Sequence, residues 1–96
     1  MDKTWYVYIL ECGDGTLSTG ITDDVQRRLQ MHRSGKGAKY TRGRLPLQLR
    51  YQETCGTYSD ALRREAQIKR LTREEKLRLI MESFNADTPQ QDESTE

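Results

Sequence analysis

The chain has no apolar run approaching the ~20 residues that cross a bilayer, and no basic N-terminal segment leading through an apolar stretch to a small-residue cleavage site. These absences predict a cytoplasmic protein with no membrane partner. Cysteine is scarce, and Cys12 and Cys55 lie far apart in no ligand-like spacing. They read as reduced, strand-borne, small apolar residues. No glycine-rich loop leads into a Lys-Ser or Lys-Thr pair, which excludes a Walker-type phosphate site, and no organic cofactor is expected. With 96 residues the chain makes one small domain with a modest core.

Charge is present in quantity but unevenly placed. The formal net charge is +1, yet all sixteen Lys and Arg fall within residues 1–84, where only eleven of the fifteen acids lie. That body carries +5. Residues 85–96 hold Asp87, Asp92, Glu93 and Glu96 among Pro, Gln, Ser and Thr, which predicts a disordered acidic tail on a basic domain spanning residues 1–84.

The chain is organised around Trp5 to Thr22, which reads as a β-hairpin. Trp5 to Leu10 is an unbroken run of aromatic, β-branched and large apolar residues, suited to a strand covered on both faces. Gly13-Asp14-Gly15 supplies the turn and Leu17 to Thr22 the return strand. Two registers are open. A two-residue Asp14-Gly15 loop sets Tyr8 opposite Ile21, with Ser18 on the other face. A three-residue loop with Gly15 left-handed sets Tyr8 near Gly20, on one face with Ser18, where the glycine leaves room for a ligand to approach the backbone. The turn sequence favours the first by a small margin.

Asp23 or Asp24 caps a helix from about Val25 that stops before Gly35, with Val25, Leu29 and His32 as its apolar stripe. Arg28 and His32 share the edge of that stripe and Arg27 points to water. An Arg at a core edge suits a phosphate, because its planar fork matches two phosphate oxygens; an Arg snorkelling over the helix is the plainer alternative. Residues 34–44 interleave three glycines with Lys36, Lys39, Arg42 and Arg44 around Tyr40. This is the composition of a cationic loop that tracks a nucleic-acid backbone and stacks a base, and equally that of a solvated loop. Pro46 opens a third strand, Leu47 to Thr54, with Leu47, Leu49 and Tyr51 on one face. Thr57 or Ser59 caps a second helix running to about Arg70, whose buried face is expected to hold Ala61, Leu62, Ala66 and Ile68. Glu65 falls in or beside that stripe, as an internal salt-bridge partner or a single metal ligand facing a cleft. Thr72 and Glu75 form a capping box that starts a last helix ending near Phe84.

Tyr6-Val7-Tyr8, Ser18-Thr19-Gly20, Arg28, His32 and Glu65, in this order and spacing, resemble the GIY-YIG endonucleases. The likeness is greatest to the small stand-alone bacterial UPF0213 proteins, whose pattern includes Ser-Gly-Lys-Gly-Ala-Lys-Tyr-Thr and Leu-Arg-Arg-Glu-Ala-Gln-Ile-Lys, and it spans residues 5–80. The resemblance implies an α+β fold, a three-stranded antiparallel sheet with helices packed around it. It implies a divalent-metal-dependent DNA endonuclease in repair or processing, using Mg²⁺ or Mn²⁺. It implies that Tyr8 accepts the proton of the attacking water, that Arg28 steadies the phosphate charge, that Glu65 holds the metal and that His32 orients the scissile phosphate or the nucleophile. A phenol with a pKa near 10 is a poor base at neutral pH, so a neighbouring Arg and a cation are needed to help it lose its proton. Two positions depart from the pattern. Tyr6 replaces the first motif's glycine, and Ser18 replaces the second motif's tyrosine, stopping several ångströms short of a phenol's reach. A nucleic-acid-binding module with weak or lost catalysis is therefore the second reading.

Overall fold

The structure, a computed structural model, describes residues 3–34 and 46–87. The elements run β1 (Trp5–Glu11), β2 (Leu17–Thr22), α1 (Val25–Arg33), β3 (Gln48–Gly56), α2 (Tyr58–Lys69) and α3 (Arg73–Asp87). The strands form one antiparallel sheet in the order β2-β1-β3, so the most apolar strand is the central one. Both its faces are covered. Val7 and Ile9 pack with Tyr51, Ile68 of α2 and Ile80 of α3 on one side, while Tyr8 and Leu10 pack with Leu29 of α1 and Leu49 on the other. The α+β architecture expected from the sequence is thus present. No helix among the described residues is long and apolar enough to cross a membrane.

The hairpin adopts the register that the turn sequence disfavoured. Tyr8 pairs with Gly20 and Leu10 with Ser18. Gly15 N–H donates to Cys12 O at 2.8 Å, and Cys12 N–H to Thr16 O at 2.8 Å, closing a loop of Gly13, Asp14 and Gly15. Gly15 has φ of +87°, a conformation that costs glycine little and side-chain-bearing residues more. Asp14 Oδ1 secures the turn by accepting from Thr16 N–H at 3.1 Å and Thr16 Oγ1 at 2.7 Å.

Four further expectations need correction. Leu49 and Tyr51 do not share a face: between Ile9 and Leu10 the pairing jumps from Tyr51 to Leu49, a bulge that inserts Arg50 and turns Leu49 toward α1. On α2, Ala61 and Ile68 are buried, but Leu62 is 40% exposed and Ala66 faces solvent. The half-buried Arg64 takes that place, its Nε donating to Glu53 Oε1 at 3.0 Å while Tyr51 Oη also donates to Glu53. Finally, α3 runs on to Asp87, three residues past the expected end. Both cysteines are free, but only Cys55 lies in a strand; Cys12 sits buried just beyond β1.

Candidate active site

The site is assembled where α1 crosses the Tyr8 face of the hairpin. Asp24 caps the helix, Oδ1 accepting from Arg27 N–H at 3.1 Å, and its own N–H donates to Thr22 Oγ1 at 3.0 Å. This fixes the helical phase close behind β2. Val25, Leu29 and His32 then face inward, and Arg28, one residue off that stripe, lies at its edge.

Three side chains meet at one phenol oxygen. Tyr8 Oη lies 3.2 Å from His32 Nε2, and Arg28 Nε donates to the same oxygen at 3.4 Å. The Tyr8 and His32 rings meet edge-on, centroids 6.1 Å apart. Tyr8 is 4% exposed and His32 2%, so the pair is screened from bulk water and Arg28 is the half-buried group linking it to solvent. Burial pushes the His32 imidazole below its usual pKa of 6.5, and the Arg28 charge adds to the effect. A neutral imidazole at neutral pH can accept the phenol's proton at Nε2 while Arg28 favours negative charge on the oxygen it leaves.

Gly20 completes this arrangement, for a reason other than the one expected. A Cβ there would lie 2.5 Å from Tyr8 Oη and 2.7 Å from Cζ. The space above the glycine holds the chain's own phenol, not room for a ligand. Ser18, two residues away on the same strand face, is buried opposite Leu10.

Tyr8, Gly20, Arg28 and His32 are therefore in contact, with Ser18 beside them. Glu65 is not in that cluster. It stands on α2, which packs on the opposite sheet face, and its carboxylate pairs with Lys69 of its own helix at 3.2 Å. No group of three or more metal-ligating His, Cys, Asp or Glu side chains occurs among the described residues. A lone carboxylate still suits Mg²⁺, which commonly takes one or two protein carboxylates and fills its remaining positions with water and substrate phosphate oxygens. Lys36, Lys39, Tyr40, Arg42 and Arg44 lie outside the described residues.

A cleft of about 480 Å³ connects the two faces, lined by Arg27, Arg28 and Met31 of α1, Trp5, Ile21, Thr22 and Asp23 at the end of the hairpin, and Tyr58 at the start of α2. Glu65 is seven residues beyond Tyr58, two turns along the same helical face. The sequence reading did not single out Trp5, Arg27, Met31 or Tyr58 as site residues. The available signal was the close spacing of Arg27, Arg28 and Met31 on one helix; Tyr58 gave none, because its place depends on how α2 docks.

Comparison with known proteins finds relatives over most of the chain. The pattern of the GIY-YIG catalytic domain matches residues 4–78. A UPF0213 protein of Streptococcus agalactiae is 54% identical over 80 residues, 83% of this chain and 91% of that protein. One from Haloquadratum walsbyi is 51% identical over 89 residues, 93% of this chain and all of the relative. Among solved structures, the solution structure of a UPF0213 protein from Bacillus halodurans matches with a TM-score of 0.53 at 49% identity, covering 81% of this chain and 83% of the other.

Proposed function

Since the chain belongs to the GIY-YIG family, among its UPF0213 proteins, we propose that it is a divalent-metal-dependent endonuclease that hydrolyses DNA phosphodiester bonds in repair or processing. The observation that carries this reading is the phenol oxygen of Tyr8 held between the Arg28 guanidinium and a neutral His32. In the proposed reaction a water gives its proton to Tyr8 Oη as the phenol's proton passes to His32 Nε2. The water oxygen bonds to phosphorus, and the ester bond to the leaving oxygen breaks. No free phenolate has to persist, which removes the difficulty of a base with a pKa of about 10. Arg28 reaches both Tyr8 and the cleft, so it positions the phosphate beside the phenol and balances its growing charge.

Glu65 is the group that would hold the cation, exchanging its pairing with Lys69. Bound there, Mg²⁺ or Mn²⁺ supplies charge neutralisation at the phosphate and its leaving oxygen. A second reading, DNA binding with weak or lost catalysis, draws on the burial of Ser18 at 6% exposure, since no phenol is presented from that position.

The test is cleavage of single-stranded, duplex and branched DNA with Mg²⁺ or Mn²⁺. Cutting abolished by EDTA and restored by excess metal is the expected result. Binding without cutting under every condition favours the second reading.

A further inference from the structure

The aromatic pair at the mouth of the cleft is not used by the proton relay. Trp5 and Tyr58 meet edge-on with ring centroids 4.9 Å apart and planes at 68°. Tyr58 nevertheless stays 51% exposed at the first position of α2, leaving ring surface open to the cleft. Across from it stand Arg27, Met31 and Arg28, the last tied to Tyr8. Among the described residues of the lining the one carboxylate, Asp23, is paired with Lys3 at 3.0 Å, and that hydrogen bond lowers its pKa. The described lining therefore presents two guanidinium groups and an open aromatic ring, with Asp23 charge-paired to Lys3.

We propose that this cleft binds one unpaired DNA base, stacked on Tyr58, next to the phosphate that Arg28 positions. The inference rests on the nuclease reading and names the form of substrate its site selects. Base faces are available in single strands, whereas a duplex keeps them in its own stack; aromatic side chains hold such bases in a sequence-tolerant way. Arg27 and Arg28 supply the backbone attraction that a neutral aromatic pocket would lack. A cleft of about 480 Å³ falls within the range of small-ligand sites, roughly 300–1,000 Å³, and an open strand can thread it with one base inserted.

Trp5 is the chain's only tryptophan, so its fluorescence reports directly on this cleft. Titration with a short oligothymidylate in EDTA, followed in parallel by Trp5 emission and by polarisation of a labelled strand, tests the proposal without catalysis. The expected result is saturable quenching of Trp5 by the single strand, and none by a blunt duplex. Tyr58→Ala weakens single-strand affinity by about 5- to 150-fold, the range for removal of a stacking aromatic, without changing the salt slope, because phosphate contacts are kept. Tyr58→Phe retains wild-type affinity and serves as the fold control should the alanine variant melt early. Single-strand binding with unaltered Trp5 emission, quenching by the duplex, or full affinity in Tyr58→Ala overturns the base site and leaves the nuclease reading standing. Failure of the wild type to bind any DNA form overturns both.

Discussion

Gly20 and His32 carry the consequences that follow from single residues. An alanine Cβ at position 20 would meet the Tyr8 ring at 2.5–2.7 Å, and Tyr8 is 4% exposed, so its ring has little space into which to swing. Gly20→Ala must therefore move the phenol off Arg28 and His32. Cleavage is expected to fall at least ~100-fold, the lower end of a lost proton-transfer contribution. Overpacking costs about 1–3 kcal/mol, so melting temperature drops by at least about 4 °C in a domain this small. A variant that melts and cleaves like the wild type would show that Tyr8 does not need its observed place. His32 gives a pH signature whose sign is fixed. Its folded pKa lies below the unfolded value of 6.5, so the unfolded chain binds more protons in the window between them, and stability falls as pH drops from about 6.5 through the folded value. With His32 as the proposed proton acceptor, cleavage is expected to fall over the same acid limb. Melting curves from pH 7.5 to 5 are expected to decline for the wild type and to flatten in His32→Gln; equal slopes would contradict a neutral buried His32.

Among the elements, α2 sets a scaffold contact beside the proposed metal ligand. Arg64 ties it to Glu53 of β3, whereas Glu65, among the described residues, pairs along its own helix with Lys69, which is half-exposed. Glu65→Gln therefore removes an i,i+4 pair worth about 0.3–0.5 kcal/mol, which moves the melting temperature by no more than about 4 °C. Metal-dependent cleavage is expected to fall by orders of magnitude with DNA affinity kept, which a melt and a cleavage assay on one variant decide. A fall in melting temperature far beyond that range would make Glu65 a structural residue. The helix starts were legible in the sequence because caps are local: Asp24, Thr57 with Asp60, and Thr72 with Glu75 each satisfy backbone donors within three residues. The register was less legible, since a two-residue type I′ loop needs positive φ at both Asp14 and Gly15, the three-residue loop needs it at Gly15 alone, and an Asp-Gly pair tolerates either. Leu62 and Ala66 were misassigned because Arg64 can bury its stem once Glu53 and Tyr51 receive its head. That partnership joins a helix to a strand eleven residues away and leaves no periodic trace.

At the scale of the whole molecule, a basic body carrying sixteen cations against eleven acids is laid on a sheet whose two faces do different work. The Tyr8 face holds the phenol, guanidinium and imidazole, the opposite face holds α2 and α3, and the cleft from Arg28 to Tyr58 joins them at one end. The resemblance in motif order pointed to Tyr8, Arg28 and His32, which their contacts now bring to one oxygen. It could not show that Gly20 exists to seat Tyr8, because that contact is set by the strand register. The claim on which the account depends is that this single phenol oxygen carries the reaction. Tyr8→Phe removes that oxygen and keeps the ring over Gly20, so the decisive measurement is Mg²⁺-dependent DNA cleavage by the wild type and Tyr8→Phe, with DNA affinity measured on both. The account predicts a cutting wild type, a rate at least ~100-fold lower in the variant and affinities equal within about twofold; a Tyr8→Phe protein that cuts at the wild-type rate would contradict it.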